Sequence, residues 1–542
     1  VPLVGPGAWS AWTNYPAGGV VFASFAMLAF HGDMFVGLVD ASFWLCLAPI
    51  VWAIARELGV REPWGTTAAG LVLAIPTLRL EVGACYVELP LVCAFGAGAL
   101  FAIRFLRRGE AGALVLAAAG FGLACAAKAN AFAVAGVGMA FLAGRALLVR
   151  PRRVAGLALA IAAFAAVVAP WLYDTWRATG YPLSPLPITV AGVRLGVANE
   201  AVKWYLTRPS MVPYDWGQES LAFRKLFAFD VSDTAEGLGF PLLLPLVVLA
   251  LSAVWLVRRH KAAGAFAVLA TAAVIGSIFQ RDFSVIRLIW WQNVARFWLP
   301  AYAVAVPASM AWCGRLPALG RVYYALALSI AFFSLLRLTH FGWSGYDLDG
   351  AFRACAWAFA VYAGWRALAA LRAPFRRAAL AAGIVLALAG LGGFVGAQRG
   401  RAIASSTVFH EVWRYWAPAA DKLDDPARPL RIAFTGGPQQ NAHEWFAYYF
   451  MGRRLQNHVF YVPITADGSV GEYTPDDALR KRADREAWLA RLDALGVDAV
   501  AALRPRYVEM DWMEGLPDRF QRVGGDGKSW GVYLVKRPPR AG

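Results

Sequence analysis

The sequence predicts a mainly helical protein: a polytopic transmembrane bundle followed by a small soluble α/β domain. Three observations carry that expectation. Of 542 residues, 59% are hydrophobic and only 16% charged, with a mean hydropathy of +0.50, too apolar for a water-soluble chain of this size. The apolar residues gather in runs close to the roughly 20 needed to cross a bilayer. From about residue 400 the composition turns to that of an ordinary globular domain.

Taken in order, residues 1–33 open with Gly, Pro, Trp and Asn and then run apolar over about 19–31, short for a span. An interfacial or re-entrant helix is the preferred reading, with a true span as the alternative. Spans follow at roughly 34–56, 64–79, 88–105, 111–127, 129–148 and 153–172. A long polar excursion covers about 173–236, and further spans lie near 237–257, 263–280, 294–312, 322–339, 350–368 and 378–397. That makes about twelve.

Charge orients them. The net charge of +17 sits in short Arg/Lys clusters between apolar runs, such as Arg104/Arg107/Arg108 and Arg258/Arg259/Lys261. Clusters of this kind recur at every second loop with few acids, which is the positive-inside pattern of cytoplasmic loops and not a nucleic-acid stripe. The alternate loops carry Glu81, Glu88, Asp174, Asp215, Asp282 and Asp347 and face outward. With twelve spans starting outside, the tail from 400 to 542 shares the face of Glu88.

In the tail, 431–434, 458–462, 497–503 and 532–535 read as strands. Thr474-Pro475-Asp476-Asp477 reads as the capped start of a helix that runs to Leu495 and stops at Gly496. Gly436-Gly437-Pro438 lacks the three-glycine dinucleotide pattern and reads as a turn. Cys46, Cys85, Cys93, Cys125, Cys313 and Cys355 lie scattered in apolar segments as small hydrophobes, and His340, His443 and His458 lack metal-ligand spacing.

Ionisable groups at the mouth of a span are functional candidates by default, which singles out Glu88 in Tyr86-Val87-Glu88-Leu89-Pro90. The ordered pieces Asn14-Tyr15-Pro16, Ala55-Arg56-Glu57-Leu58-Gly59, Tyr86 to Pro90, Lys128, Thr179-Gly180-Tyr181-Pro182, Arg296-Phe297-Trp298-Leu299-Pro300 and Tyr449-Phe450-Met451-Gly452 together resemble the GT-C superfamily of membrane glycosyltransferases. The resemblance is to the bacterial branch related to protein O-mannosyltransferases and lipid A aminoarabinose transferase, and it covers most of the chain.

The resemblance implies transfer of a sugar from a polyprenyl-phosphate donor to a lipid, glycan or protein acceptor. That chemistry would take place at the periplasmic face of the bacterial cytoplasmic membrane, in a fold of about thirteen spans with a periplasmic C-terminal domain. A divalent metal belongs to some relatives; nothing in the residues demands one. The family's main acid lies after its first span, whereas residues 1–32 hold no Asp or Glu. The expectation is therefore that the sequence begins part-way into the protein, that the main base precedes Val1, and that Glu88 is the second acid, with Tyr86 beside it.

Each further candidate has a plain alternative. Glu88 accepts an acceptor proton or orients the sugar, or else snorkels beside Arg79. Lys128 steadies a leaving phosphate or anchors a turn in the headgroups. Arg296 grips phosphate with its guanidinium or pairs with an acid such as Asp282. Arg177 is a further phosphate contact, and Tyr214-Asp215-Trp216 is the trio in the aromatic loop best suited to a sugar, although Trp and Tyr also serve as interfacial anchors. A transporter or flippase of lipid-linked precursors and a non-catalytic scaffold are the competing functions.

Overall fold

The computed structural model describes residues 36–75, 77–78, 81–82, 87–129, 131–149, 154–184, 189–190, 192–197, 242–277, 295–337, 417–435, 450–468, 480–502, 507–528 and 530–536, with five positions between 21 and 28. The expected spans at 350–368 and 378–397 lie outside them, as do Thr474 and Gly436 to Pro438.

The chain is a multi-pass membrane protein. Its helices are α1 (Val36–Glu57), α2 (Trp64–Leu73), α3 (Glu88–Arg108), α4 (Ala111–Ala127), α5 (Ala131–Val149), α6 (Val154–Thr179), α7 (Leu243–His260), α8 (Ala262–Ser277), α9 (Ala295–Met310) and α10 (Pro317–Arg337). Among the described residues five helices are long and apolar enough to cross a membrane, within α1, α3, α5, α6 and α7. The helices at the expected spans 64–79, 111–127 and 263–280 are shorter than that. Instead of filling 64–79, α2 is 10 residues long, about 15 Å of rise, and cannot cross alone. Pro76, which lacks a backbone N–H and disfavours helix before it, lies just beyond its end.

Helix α3 is the centre of the bundle. It packs against α1, α4, α5, α8 and α9, and 67% of its membrane window is buried, against 22–33% for the other four. Small residues make the closest approach possible. A Cβ on Gly120 of α4 would lie 2.6 Å from the Gly98 backbone nitrogen of α3, and one on Gly98 would lie 2.8 Å from the Phe121 ring. Without a hydrophobic drive between helices inside lipid, such backbone-to-backbone packing is what holds them together. Around the seam, Phe95, Phe121 and Phe266 form a chain of rings with centroids 5.7 and 6.4 Å apart.

The basic end of α3 is pinned as well. Arg107 reaches the Glu57 carboxylate at 3.2 Å and Arg108 at 2.5 Å, and Arg107 also donates to the Glu57 carbonyl. This ties the last turns of α1 and α3. Gly109 then closes α3 in the left-handed region, at φ 73°, with its N–H donating to the Phe105 carbonyl.

Between α6 and α7 a two-residue hairpin pairs β1 (Thr189–Val190) with β2 (Val193–Arg194). The C-terminal region contains α11 (Ala417–Asp421), β3 (Arg431–Thr435), β4 (His458–Tyr461), α12 (Arg485–Ala494), β5 (Ala499–Ala502), α13 (Val508–Glu514), β6 (Phe520–Gly525) and β7 (Gly531–Val535). The sheet runs β4-β3-β5-β7-β6, with β4, β3 and β5 parallel and β7 antiparallel to both β5 and β6. The four expected strands are present to within two residues at each end.

The expected helix to Leu495 is not continuous: residues 480–482 are helical, Ala483 leaves the helix, and Asp484 caps a new one, α12, by accepting from the Ala487 N–H. The expected start at Thr474 lies outside the described residues. The break falls where Thr465 and Ala483 form a bridge, drawing the chain onto the sheet side. Trp488 is the centre of this core, 5.5 Å from Trp512 and 6.1 Å from Phe520 between ring centroids.

Two outcomes follow for stability. Gly120→Val drives a branched side chain into the Gly98 backbone and costs about 1–3 kcal/mol, seen as a lower melting temperature of the detergent-solubilised protein. In the C-terminal region Glu509 is fully buried, and among the described residues neither carboxylate oxygen has a hydrogen-bond partner. Burial pushes its carboxyl up to about 8. A folded value above the ordinary 4.5 means a contribution that is fully present below 4.5 and lost as pH rises through about 8. Hydrogen exchange of peptides spanning β5 and α13 should therefore show falling protection free energy over that interval, and Glu509→Gln should flatten the dependence.

Candidate functional site

Glu88 is the first residue of α3, where a carboxylate meets the positive end of the helix dipole. It does not snorkel. The residue is 1% exposed, so its charge has left water and needs compensation from protein. Two cations from distant parts of the chain supply it. Lys128 donates from Nζ to Glu88 Oε1, and Arg296 Nε lies 3.4 Å from the same oxygen. The second oxygen, Oε2, is buried and has no hydrogen-bond partner among the described residues.

Local structure puts each cation there. Helix α4 ends at Ala127, and Lys128 takes an extended backbone, φ −153° and ψ 134°, while its N–H still closes the last helical turn onto Ala124. A lysine at that position faces the negative end of its own helix dipole. Arg296 lies in the opening turn of α9, where its charge adds to the positive end of the dipole instead of relieving it. The pairing with Glu88 offsets that. Helices α4 and α9 both pack on α3, which is how residues so far apart in sequence come to share one oxygen.

Phe297 completes the group. Its ring lies 4.4 Å from Lys128 Nζ and 5.7 Å from Arg296 Cζ, centroid to atom, so both cations share one aromatic ring. Reading the sequence did not assign this ring a role. The signal was its place directly after Arg296 in a helix-opening turn, which could be used only once Lys128 was known to be near.

Of the expected site residues, then, Glu88, Lys128 and Arg296 come together. Arg296 has Glu88 as a carboxylate partner, and Asp282 and Arg79 lie outside the described residues. Arg177 is exposed on α6, with its guanidinium carbon 5.9 Å from the Tyr173 ring, and no described contact links it to the Glu88 group. Tyr86, Tyr214, Asp215 and Trp216 lie outside the described residues. Asp40 and Glu81, also buried, are acids that the residue pattern did not mark as site candidates. Among the described residues no group of three or more His, Cys, Asp or Glu side chains gathers to hold a metal ion.

Chemically, the site offers two hydrogen-bonding cations in a largely dry setting, a carboxylate oxygen to spare and an aromatic floor. That set suits an anion with an attached hydroxylated group. Its internal coupling is measurable. Lys128→Met leaves the buried Glu88 short of a partner and lowers the melting temperature. Adding Glu88→Gln recovers part of the loss, with an interaction energy of about 0.5–3 kcal/mol; strictly additive effects would show that the two do not pair.

No family model matches the chain, and no curated protein does. Solved structures similar to it include two of one protein. ArnT from Cupriavidus metallidurans in the apo state is 16% identical with a TM-score of 0.48, over 96% of this chain and 87% of that one. ArnT from the same organism bound to undecaprenyl phosphate is 14% identical with a TM-score of 0.50, over 96% and 88%. Along nearly its whole length, therefore, this chain is similar in fold to the undecaprenyl-phosphate-bound ArnT structure.

Proposed function

We propose that the protein is an integral membrane glycosyltransferase that moves a hexosyl- or pentosyl-type sugar from a polyprenyl-phosphate donor to a lipid, glycan or protein acceptor. The observation that carries this reading is the shared ion pair: Lys128 and Arg296 converge on one oxygen of a buried carboxylate at the end of a multi-span bundle. A phosphate on a lipid tail is the ligand such a place suits, because the tail partitions into the bilayer while the head meets fixed cations. The fold likeness to a protein whose structure holds undecaprenyl phosphate supports the same choice.

In this reading the acceptor oxygen displaces phosphate directly at the anomeric carbon, with inversion. Lys128 and Arg296 stabilise the charge that grows on the leaving phosphate oxygen, the larger electrostatic contribution. Glu88, through its unpartnered oxygen, takes a proton from the acceptor or holds a sugar hydroxyl in line. The reaction belongs at the face opposite the Arg-rich loops, with twelve to thirteen spans in all and the C-terminal α/β domain on that outer, periplasmic side.

The test is purified protein incubated with a panel of radiolabelled polyprenyl-phosphate sugars and membrane acceptors. Labelled product is expected, with Glu88→Ala slower by roughly 100-fold or more. Unchanged product formation in Glu88→Ala would remove Glu88 from the site. Proteoliposomes that consume no donor yet move lipid-linked sugar across the bilayer would point to a transporter instead.

A further inference from the structure

Glu88 occupies the very groups a phosphate needs. Its Oε1 takes the Lys128 ammonium and the Arg296 Nε together, and the side chains are 2%, 21% and 15% exposed respectively. So little water is left that charges here interact far more strongly than on a surface. A phosphate drawn to these two cations therefore also meets a fixed negative charge a few ångströms away. It gains from Lys128 and Arg296 and is opposed by Glu88, and both effects scale with the charge it carries.

Two phosphate species belong to the reaction proposed above, on which this inference rests. A polyprenyl-phosphate sugar is a phosphodiester with one negative charge. The product is a phosphomonoester, carrying close to two near neutral pH. The transfer turns one into the other: the anomeric C–O bond breaks, its electron pair stays on the phosphate oxygen, and the acceptor oxygen bonds to the carbon. The acceptor proton passes through the base to solvent, so Glu88 is ionised again when the product leaves.

We propose that Glu88 is a resident counter-anion that sets which phosphate species the site retains, admitting the singly charged diester and expelling the doubly charged monoester. Two bare cations would do the opposite and hold the product more tightly than the donor. Sharing one oxygen between them lowers the pull on the second ligand charge. Glu88 is thus a specificity and release element as well as a neighbour of the chemistry, and its unpartnered Oε2 stays available to the sugar or acceptor throughout.

The probes are farnesyl phosphate and its methyl phosphodiester, which share a chain and differ by one charge, titrated calorimetrically into the full chain in detergent. The wild type should bind the diester more tightly than the monoester. Glu88→Gln should shift the ratio of the two affinities toward the monoester by roughly tenfold or more. Glu88→Asp keeps the charge and should leave the ratio within about twofold of wild type, an outcome that a role in shape alone would not give. A wild type that prefers the monoester overturns the proposal without recourse to any variant, and so does a ratio unmoved in Glu88→Gln. If the wild type binds neither probe, the polyprenyl-phosphate reading itself falls and takes this one with it; binding of both with an unmoved ratio removes only the role of Glu88.

Discussion

A single buried carboxylate oxygen holds three parts of the bundle to one another. Removing Glu88 from water is costly, and in a dry interior a charge persists only when its partners are fixed in place. Those partners come from the end of α4 and the start of α9, so the packing of both helices on α3 and the survival of the charge are mutually dependent. The result is asymmetric. A buried ion pair contributes little net stability compared with well-packed apolar residues, yet losing one member is severe. Such an arrangement is retained more readily where the charges serve a purpose than where they only fasten helices.

Helix α3 shows how that requirement is met mechanically. Its middle lies against α4 through Gly98 and Gly120, which sets the spacing of the two backbones and thereby the reach of Lys128. Its far end is fastened to α1 through Glu57, Arg107 and Arg108. Ion pairs at both ends with glycine packing between them leave the helix little freedom to slide or turn. A one-residue rotation would carry Glu88 about 100° around the axis and away from both cations. The site is thus positioned by contacts some 30 Å distant, given the 1.5 Å rise per residue.

Much of this was legible in the sequence, and the part that was not has a physical reason. Charges stand out against an apolar background, so Glu88, Lys128 and Arg296 could be marked, and the alternation of basic loops assigned them to one side. What a linear reading cannot supply is which helices touch. Glu88 and Arg296 are joined only because α9 packs on α3, and Phe297 gains a role only from that neighbourhood. In the C-terminal region four of the five strands were visible through their short apolar runs, whereas β6 reads Phe-Gln-Arg-Val-Gly-Gly with little apolar pattern and α13 is a single seven-residue stretch too brief for periodicity to emerge. The interruption ahead of Asp484 was not legible, because it coincides with a bridge between Ala483 and Thr465 from another part of the chain.

The contrast between Glu88 and Glu509 sharpens what each one means. Both are glutamates near the start of a helix, and both are buried. Glu88 has two cations on one oxygen and stands where a charge can be used. Among the described residues Glu509 has no hydrogen-bond partner on either oxygen, and burial drives it toward the neutral acid. The two buried carboxylates therefore differ in what faces them and not in depth. Solvation by the protein, and not by water, makes that difference: Lys128 and Arg296 stand against Glu88, whereas among the described residues neither oxygen of Glu509 has a hydrogen-bond partner. An ionised group maintained at such cost against the bilayer is where function is expected, and the same logic makes the cations around Glu88, more than its depth, the reason it stands out.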